Sequence, residues 1–387
     1  MAYLVLNPDV FLFPAETGYM AYDPVGDRLH QLNPLASLIV ELCDGSRTSE
    51  DIFELVQTFM PAESGPEIAA WIGQAMEAGL LLQSGSACVR AGEPSVEDLT
   101  NLAHRMNNTG RHQVAYLAWK QVTEVTPEDA DAWYWLGDTA YWLGRLDEAR
   151  AAYSKYLTQH PEDAELQQLV IALGKGAPPA RAPNDCIEQI YRRMSPDYDA
   201  LMRERLDYQA PERLRDAIVS VIGDRGGLAI LDLGCGSGLS GACLKDKASL
   251  LAGVDLSPEM VELARKREIY DRLDVAEITD WLTRNDACFD LIVICECLVY
   301  FGDLREVVAA AARRLGAGGV LALTVERGDR YPFHLTNSGR YAHHIDHVRE
   351  AAAAAGLIPA YLEEGFLRKE YGVPVTGLYA VLTKNRL

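Results

Sequence analysis

The chain has 387 residues, of which 49% are hydrophobic and 24% charged, and a formal net charge of -20. That length allows two or three separate cores, while the negative balance excludes a broad basic face for nucleic acid. No apolar run approaches the roughly 20 residues of a membrane span, and MAYLVLNPD lacks the basic-then-apolar order of a signal peptide. The eight cysteines are scattered without a C-x-x-C pair, so reduced thiols and a cytoplasmic location are expected.

Residues 1–90 read as a small α+β unit. Tyr19 to Tyr22 and Leu29 to Leu32 are strand candidates joined by the turn DPVGD. Asn33 caps a helix running to about Cys43, and Asp44-Gly45 stops it. Thr48 with Asp51 forms a capping box for a helix from Asp51 to Phe59, which Pro61 ends. A third helix, Pro66 to about Leu81, places Ile68, Trp71, Ile72, Ala75 and Met76 at helical spacing. The expectation is a winged-helix-like unit: a strand pair followed by three helices.

The strings RLHQLN, ELCDGSRTSEDI and MEAGLLL resemble the PqqD-like domain, the recognition element of enzymes that modify ribosomally made peptides. The resemblance implies a leader peptide that adds a strand beside the third strand and packs on the third helix. Carried over, the contact residues are Leu29, His30, Gln31 and Leu32 on the edge, with Ile68, Trp71 and Ile72 on the helix. The same residues also suit a small packing or dimerisation domain with Leu29, Leu32 and Trp71 in its core.

Residues 95–176 hold an internal repeat. Leu99, Leu102, Ala103, Gly110, Ala115 and Pro127 recur 34 positions later as Trp133, Leu136, Gly137, Gly144, Ala149 and Pro161. Trp119 likewise answers to Tyr153. The period and the W-x-x-L-G…A…P pattern mark tetratricopeptide (TPR) repeats. A helix from about Ala164 to Gly174 is expected to cap the pair. Such a pair either binds a partner, such as another peptide-modifying enzyme, or spaces the domains.

The linker GKGAPPARAP leads into residues 184–387. Strand candidates are Ala229 to Leu233, Leu250 to Val254, Asp274 to Glu277, Phe289 to Cys295, Val320 to Glu326, Tyr361 to Gly365 and Gly377 to Thr383. Helical segments alternate with them, as a doubly wound parallel sheet requires. The first strand runs into AILDLGCGSGLSG, whose glycines permit a tight turn and close backbone approach to a ligand. The second ends in Asp255, so a nucleoside would lie outside the strands' carboxyl ends. Gly236, Gly238 and Gly241 also fit G-x-G-x-x-G, which leaves a nicotinamide cofactor open. A non-catalytic scaffold with a degenerate site is a further alternative.

The fuller string D-x-G-x-G-x-G, continued by DLSPEMVELARKR, resembles the class I S-adenosylmethionine (SAM) methyltransferases. The resemblance implies a seven-stranded Rossmann-like sheet whose last strand runs antiparallel, and SAM as cofactor. Gly234, Gly236 and Gly238 would leave room for the methionyl part, with Asp232 near its ammonium. Asp255 would accept both ribose hydroxyls. Leu256 and Met260 would pack on adenine, with Glu277 and the Ile278 N–H near its amino edge. Glu296 would stand near the reacting centre, and Tyr198 and Tyr208 would close over the cofactor as a lid.

The strings LVYFGDL, LTVERGD, SGRYAHHIDHVREAAAAAGL and EYGVPVTGLYAVLTK resemble the TPR-bearing branch of these enzymes. They supply the catalytic candidates Tyr300, Glu326, His343 and His344. His343 and His347, four apart, are expected on one helical face. A general base is the functional reading, since neutral imidazole takes a proton near neutral pH, and no third zinc ligand is evident. Arg340 and Tyr341 could instead orient a carboxylate acceptor. The predicted function is methylation of a precursor peptide captured through its leader. A protein or small-molecule acceptor is the alternative.

Overall fold

A computed structural model describes residues 2–15, 18–57, 65–86, 94–174, 176–370 and 372–384. The chain divides into two compact units, Met1–Gln159 and His160–Leu387. Among the described residues no helix is long and apolar enough to cross a membrane.

The first unit opens with strands β1 (Tyr3–Leu6), β2 (Phe11–Ala15), β3 (Gly18–Asp23) and β4 (Arg28–Leu32). Asp23 folds the β3–β4 turn by accepting from Val25 N and Gly26 N, both at 3.0 Å. Asn33 caps the helix Pro34–Leu42 by accepting from Ala36 N at 2.8 Å. After β5 (Asp44–Thr48), Thr48 and Asp51 cap the helix Ser49–Gln57 reciprocally: Thr48 N donates to Asp51 at 2.9 Å and Asp51 N to Thr48 Oγ1 at 3.2 Å. The helix Gly65–Glu77 and β6 (Leu81–Ser84) complete the fold. The expected helix end at Phe59 and Pro61 lies outside the described residues.

Two three-stranded sheets replace the expected strand pair, β2-β3-β4 and β5-β1-β6. The extra strands are only four or five residues long, too short for a visible alternation. Leu4, Leu32, Ile39, Ile52, Ile68 and Leu81 share one core between them.

Four helices follow in the same unit: Val96–Asn108, His112–Val125, Ala130–Trp142 and Leu146–Tyr156. They are the two TPR hairpins that the period of 34 requires. A Cβ at Gly137 would stand 2.5 Å from the Tyr153 ring, so only glycine allows that close helix approach. The helix Ala164–Ala172, expected to cap the repeats, falls in the second unit. There Gln189, on the helix Asn184–Met194, accepts from Ala164 N at 3.0 Å and donates to Asp163 at 3.1 Å.

The second unit is built on β7 (Leu228–Leu233), β8 (Ala248–Asp255), β9 (Arg272–Val275), β10 (Phe289–Ile294), β11 (Leu315–Arg327), β12 (Phe333–Leu335), β13 (Tyr341–His343), β14 (Leu357–Glu370) and β15 (Val373–Lys384). The main order is β9-β8-β7-β10-β11-β15-β14, with β15 antiparallel to both neighbours. This is the expected seven-stranded Rossmann-like sheet. The hairpin β12-β13 was not predicted; it extends the sheet where Glu326 and Arg327 of β11 pair with Ala342 and His343. Helices cover both faces, so Ile230, Leu231, Ile292, Val293 and Leu321 are fully buried. The chain leaves β7 toward β8 on one side, while β10 lies on the other. The switch point therefore opens at the carboxyl ends of β7 and β10.

Candidate functional site

At that switch point the chain makes three left-handed turns in five residues. Gly234, Gly236 and Gly238 have φ of +70°, +55° and +92°. A Cβ at Gly234 would stand 2.5 Å from Cys297 Cβ, whereas at Gly236 the nearest atom would be Tyr198 Oη, 4.0 Å away. Gly236 thus turns bare backbone toward open space. Asp255, at the end of β8, ties the turn down: its carboxylate accepts from Gly236 N at 2.8 Å and from Ser257 N at 2.9 Å. Burial pushes the Asp255 pKa up, and these N–H groups oppose the shift.

The open space is a cavity of about 1030 Å³, its mouth included. One end is formed by Gly234, Gly236, Asp255, Leu256, Glu277 and Ile278. Tyr191, Tyr198, Met202 and Tyr208 cover it, and Glu296, Tyr300, Arg340 and Arg368 form the far end. The cover is held to the glycine turn through Asp199, which accepts from Ser237 Oγ at 2.5 Å and pairs with Arg267.

Glu277 caps the helix Ile278–Arg284, accepting from Asp280 N at 2.8 Å through Oε2. Its buried Oε1 has no hydrogen-bond partner among the described residues but forms an ion pair with Arg181 at 3.6 Å. An acceptor without a hydrogen bond at one end, a doubly anchored carboxylate in the middle and bare glycine backbone beside it fit the amino edge, ribose and sulfonium arm of an adenosyl cofactor. The apolar walls from Leu256 and Ile278 suit the purine.

The far end is a charged network. Arg368 of β14 pairs with Glu296 and Glu326 and lies 3.5 Å from Glu370, while Arg340 also pairs with Glu370. Burial works against the Arg368 charge, but the surrounding glutamates reverse this and hold its pKa above the usual arginine range. Glu296 has the left-handed φ of +55°, rare outside glycine, and its N donates to Thr324 Oγ1 at 2.8 Å.

The structure brings Tyr198, Tyr208, Gly234, Gly236, Asp255, Leu256, Glu277, Ile278, Glu296, Tyr300 and Arg340 to this one cavity. Other candidates lie elsewhere. Asp232 is fully buried behind the turn, accepting from Tyr270 Oη at 2.7 Å, and does not reach the cavity. Gly238 is spent on helix entry beneath Arg267 and Tyr270. Met260 is core beneath Tyr198 and Met202 and cannot stack on adenine. Glu326 is buried against Arg368, away from the lining.

His343 does not stand on a helix with His347. It ends β13, and the helix Ile345–Ala354 begins after it, although the two rings still stack 6.0 Å apart. His343 Nε2 donates to Phe301 O at 2.8 Å and Gly302 O at 3.1 Å. Burial pushes its pKa down to about 4, so it is a neutral structural residue outside the cavity. His344 is the helix cap, accepting from Asp346 N at 3.2 Å, and also lies outside. Tyr341 is buried, donating to Pro179 O at 2.7 Å, so it cannot orient an acceptor.

Sequence reasoning missed Arg181 and Arg368. Arg181 sits in the linker string, and Arg368 meets Glu296 across 72 positions of sequence, a pairing that only the β14 hairpin creates. Among the described residues no group of three or more His, Cys, Asp or Glu side chains is placed to hold a metal ion.

In the first unit, Leu32, Ile68 and Ile72 are buried in the core and are not free to touch a peptide. Leu29, His30 and Trp71 are half-buried and Gln31 is exposed.

Three family models match separate stretches of the chain. Residues 231–323 match the family model described as a methyltransferase domain, 108–164 a tetratricopeptide repeat, and 18–81 coenzyme PQQ synthesis protein D (PqqD). The ubiquinone biosynthesis O-methyltransferase of Xanthomonas oryzae pv. oryzae is 30% identical over 179 residues, 42% of this chain and 70% of the relative. Among solved structures, 1,6-didemethyltoxoflavin-N1-methyltransferase of Burkholderia thailandensis aligns with TM-score 0.43 and 19% identity, covering 54% of this chain and 93% of that one. The N-methyltransferase NodS of Bradyrhizobium japonicum aligns with TM-score 0.41 and 18% identity, covering 51% and 97%. The chain belongs to the SAM-dependent methyltransferase family, with SAM as its cofactor, and carries PqqD and TPR segments ahead of the catalytic fold.

Proposed function

We propose that this methyltransferase acts on a ribosomally made precursor peptide whose leader is captured by the PqqD-like segment. The observation that supports this most is the edge of β4. Among the described residues β4 pairs with β3 alone, leaving a row of backbone N–H and C=O groups on its other side. The opposite edge, β2, contains Pro14, which has no N–H to offer an added strand. A leader strand beside β4 would take backbone bonds from Leu29 to Leu32 and side-chain contact from Trp71.

At the catalytic cavity we assign Asp255 to the ribose hydroxyls, Glu277 and Ile278 to the adenine edge, and Gly234 and Gly236 to the methionyl arm. Tyr198 and Tyr208 cover the cofactor. SAM supplies a methyl group already activated by its sulfonium. The protein's part is alignment and exclusion of water, where effective molarity does much of the work. Leader capture would raise the acceptor's local concentration without touching the chemistry. The boundaries 1–90, 95–176 and 184–387 are the division that goes with this reading. The TPR pair either spaces these parts or holds a further modifying enzyme.

The test is intact-mass analysis of a precursor and its leaderless core with the full chain and SAM. The expected result is fast addition of one methyl mass to the precursor and slow addition to the core. Equal rates would remove the leader from the account.

A further inference from the structure

The far end of the cavity extends the peptide-methylation reading, on which this inference rests, to the acceptor's chemistry. Arg368 is used up: it is buried at 5% side-chain exposure and pairs with Glu296 and Glu326. Arg340 is not. Arg340 lines the cavity, and its one side-chain hydrogen bond among the described residues runs from Nη1 to Glu370. A guanidinium has five N–H donors in a rigid fork, so most of this one remains available.

Among the described residues no histidine lines this cavity. His343 and His344 lie outside it. Glu296 is locked by Arg368. Burial pushes the Tyr191, Tyr198 and Tyr208 hydroxyls and the Cys295 and Cys297 thiols well above their ordinary range. An amine or hydroxyl acceptor must lose a proton at or after transfer, whereas a carboxylate needs no such step.

We infer that the acceptor is a carboxylate of the peptide, gripped by the Arg340 fork and converted to a methyl ester. The step balances without a proton. A carboxylate oxygen lone pair forms the new O–CH3 bond, and the electron pair of the breaking C–S bond stays on sulfur. One anion and one cation become a neutral ester and a neutral thioether. The ester no longer attracts Arg340, which favours its release.

The test uses the full chain saturated with S-adenosylhomocysteine and titrated by calorimetry with three probes: N-acetylglutamate α-amide, N-acetylalanylalanine and N-acetylglutamine α-amide. The first carries a side-chain carboxylate, the second a C-terminal one, and the third is a neutral control. At least one carboxylate is expected to bind tenfold or more tightly than the control, and the tighter of the two identifies the source. Arg340→Gln should cut that preference below threefold, with S-adenosylhomocysteine affinity as its folding control. Glu370→Gln, which frees the fork, should tighten carboxylate binding about threefold. Equal binding of all three probes, absence of binding, or weaker carboxylate binding in Glu370→Gln would overturn the assignment. None of the probes has a leader, so this outcome is independent of leader capture.

Discussion

Asp255→Ala removes the carboxylate on which the cofactor assignment turns. In the structure two of its roughly four acceptor positions are filled by Gly236 N at 2.8 Å and Ser257 N at 2.9 Å. The remaining two would receive the ribose hydroxyls. A hydrogen bond to a charged group contributes about 1.5–3 kcal/mol, so losing two at the lower value costs about 3 kcal/mol, roughly a hundredfold in affinity. Burial, which disfavours the charge, brings the effect down, and at least about tenfold should survive. Calorimetric titration with SAM and S-adenosylhomocysteine reads this directly, and circular dichroism checks that the glycine turn has not unfolded the domain. Affinity within about threefold of wild type in a folded variant would refute the ribose assignment.

Other consequences are open to simple measurements. Burial pushes Asp232 up to about 7, so between about pH 4 and that value the native state holds a proton that the unfolded state has released. Stability should therefore fall as pH rises across this window, by about 1.4 kcal/mol per unit relative to Asp232→Asn, and level off above it. Denaturant titrations whose difference does not change with pH would contradict this. Gly236→Ala should lose about 1–2 kcal/mol of stability from its left-handed φ and weaken SAM binding tenfold or more, because the methyl group would enter the cavity. Full affinity in that variant would move the cofactor elsewhere. His343→Ala should destabilise the domain by about 2–4 kcal/mol, lowering the thermal midpoint, since it removes a buried ring and its bonds to two carbonyls. A variant of normal stability that binds SAM but does not methylate would return His343 to the chemistry.

The parts of the fold that sequence displayed were those with a local rule. The glycine turn, Asp255, the capping box at Thr48 and the 34-residue period all follow from neighbours in the chain. Short apolar runs such as that within Leu228–Leu233 announced the buried strands in the same way. What stayed hidden depends on distant pairing. The strands β1 and β6 are four residues each and gain their identity only by pairing across the domain. Arg368 meets Glu296 and Glu326 only after β14 folds back along β15. The His343 error had another origin. Spacing of four suggested a helix, but β13 runs through His343, and only the later residue of the pair lies on the helix. A histidine beside a site by sequence was a core residue by burial.

The proposed function has the N-terminal segment capture a peptide that the C-terminal fold methylates. The most direct measurement compares the full chain with a form lacking the residues before about Val89, each given SAM and full-length precursor and followed by intact mass. A steep rise in apparent KM for the precursor is expected in the shortened form, with unchanged SAM affinity and equally slow methylation of the leaderless core by both. Trp71→Ala in the folded full chain should show a milder rise. Equal methylation of the precursor by both forms would contradict the claim and leave the N-terminal segment as packing structure.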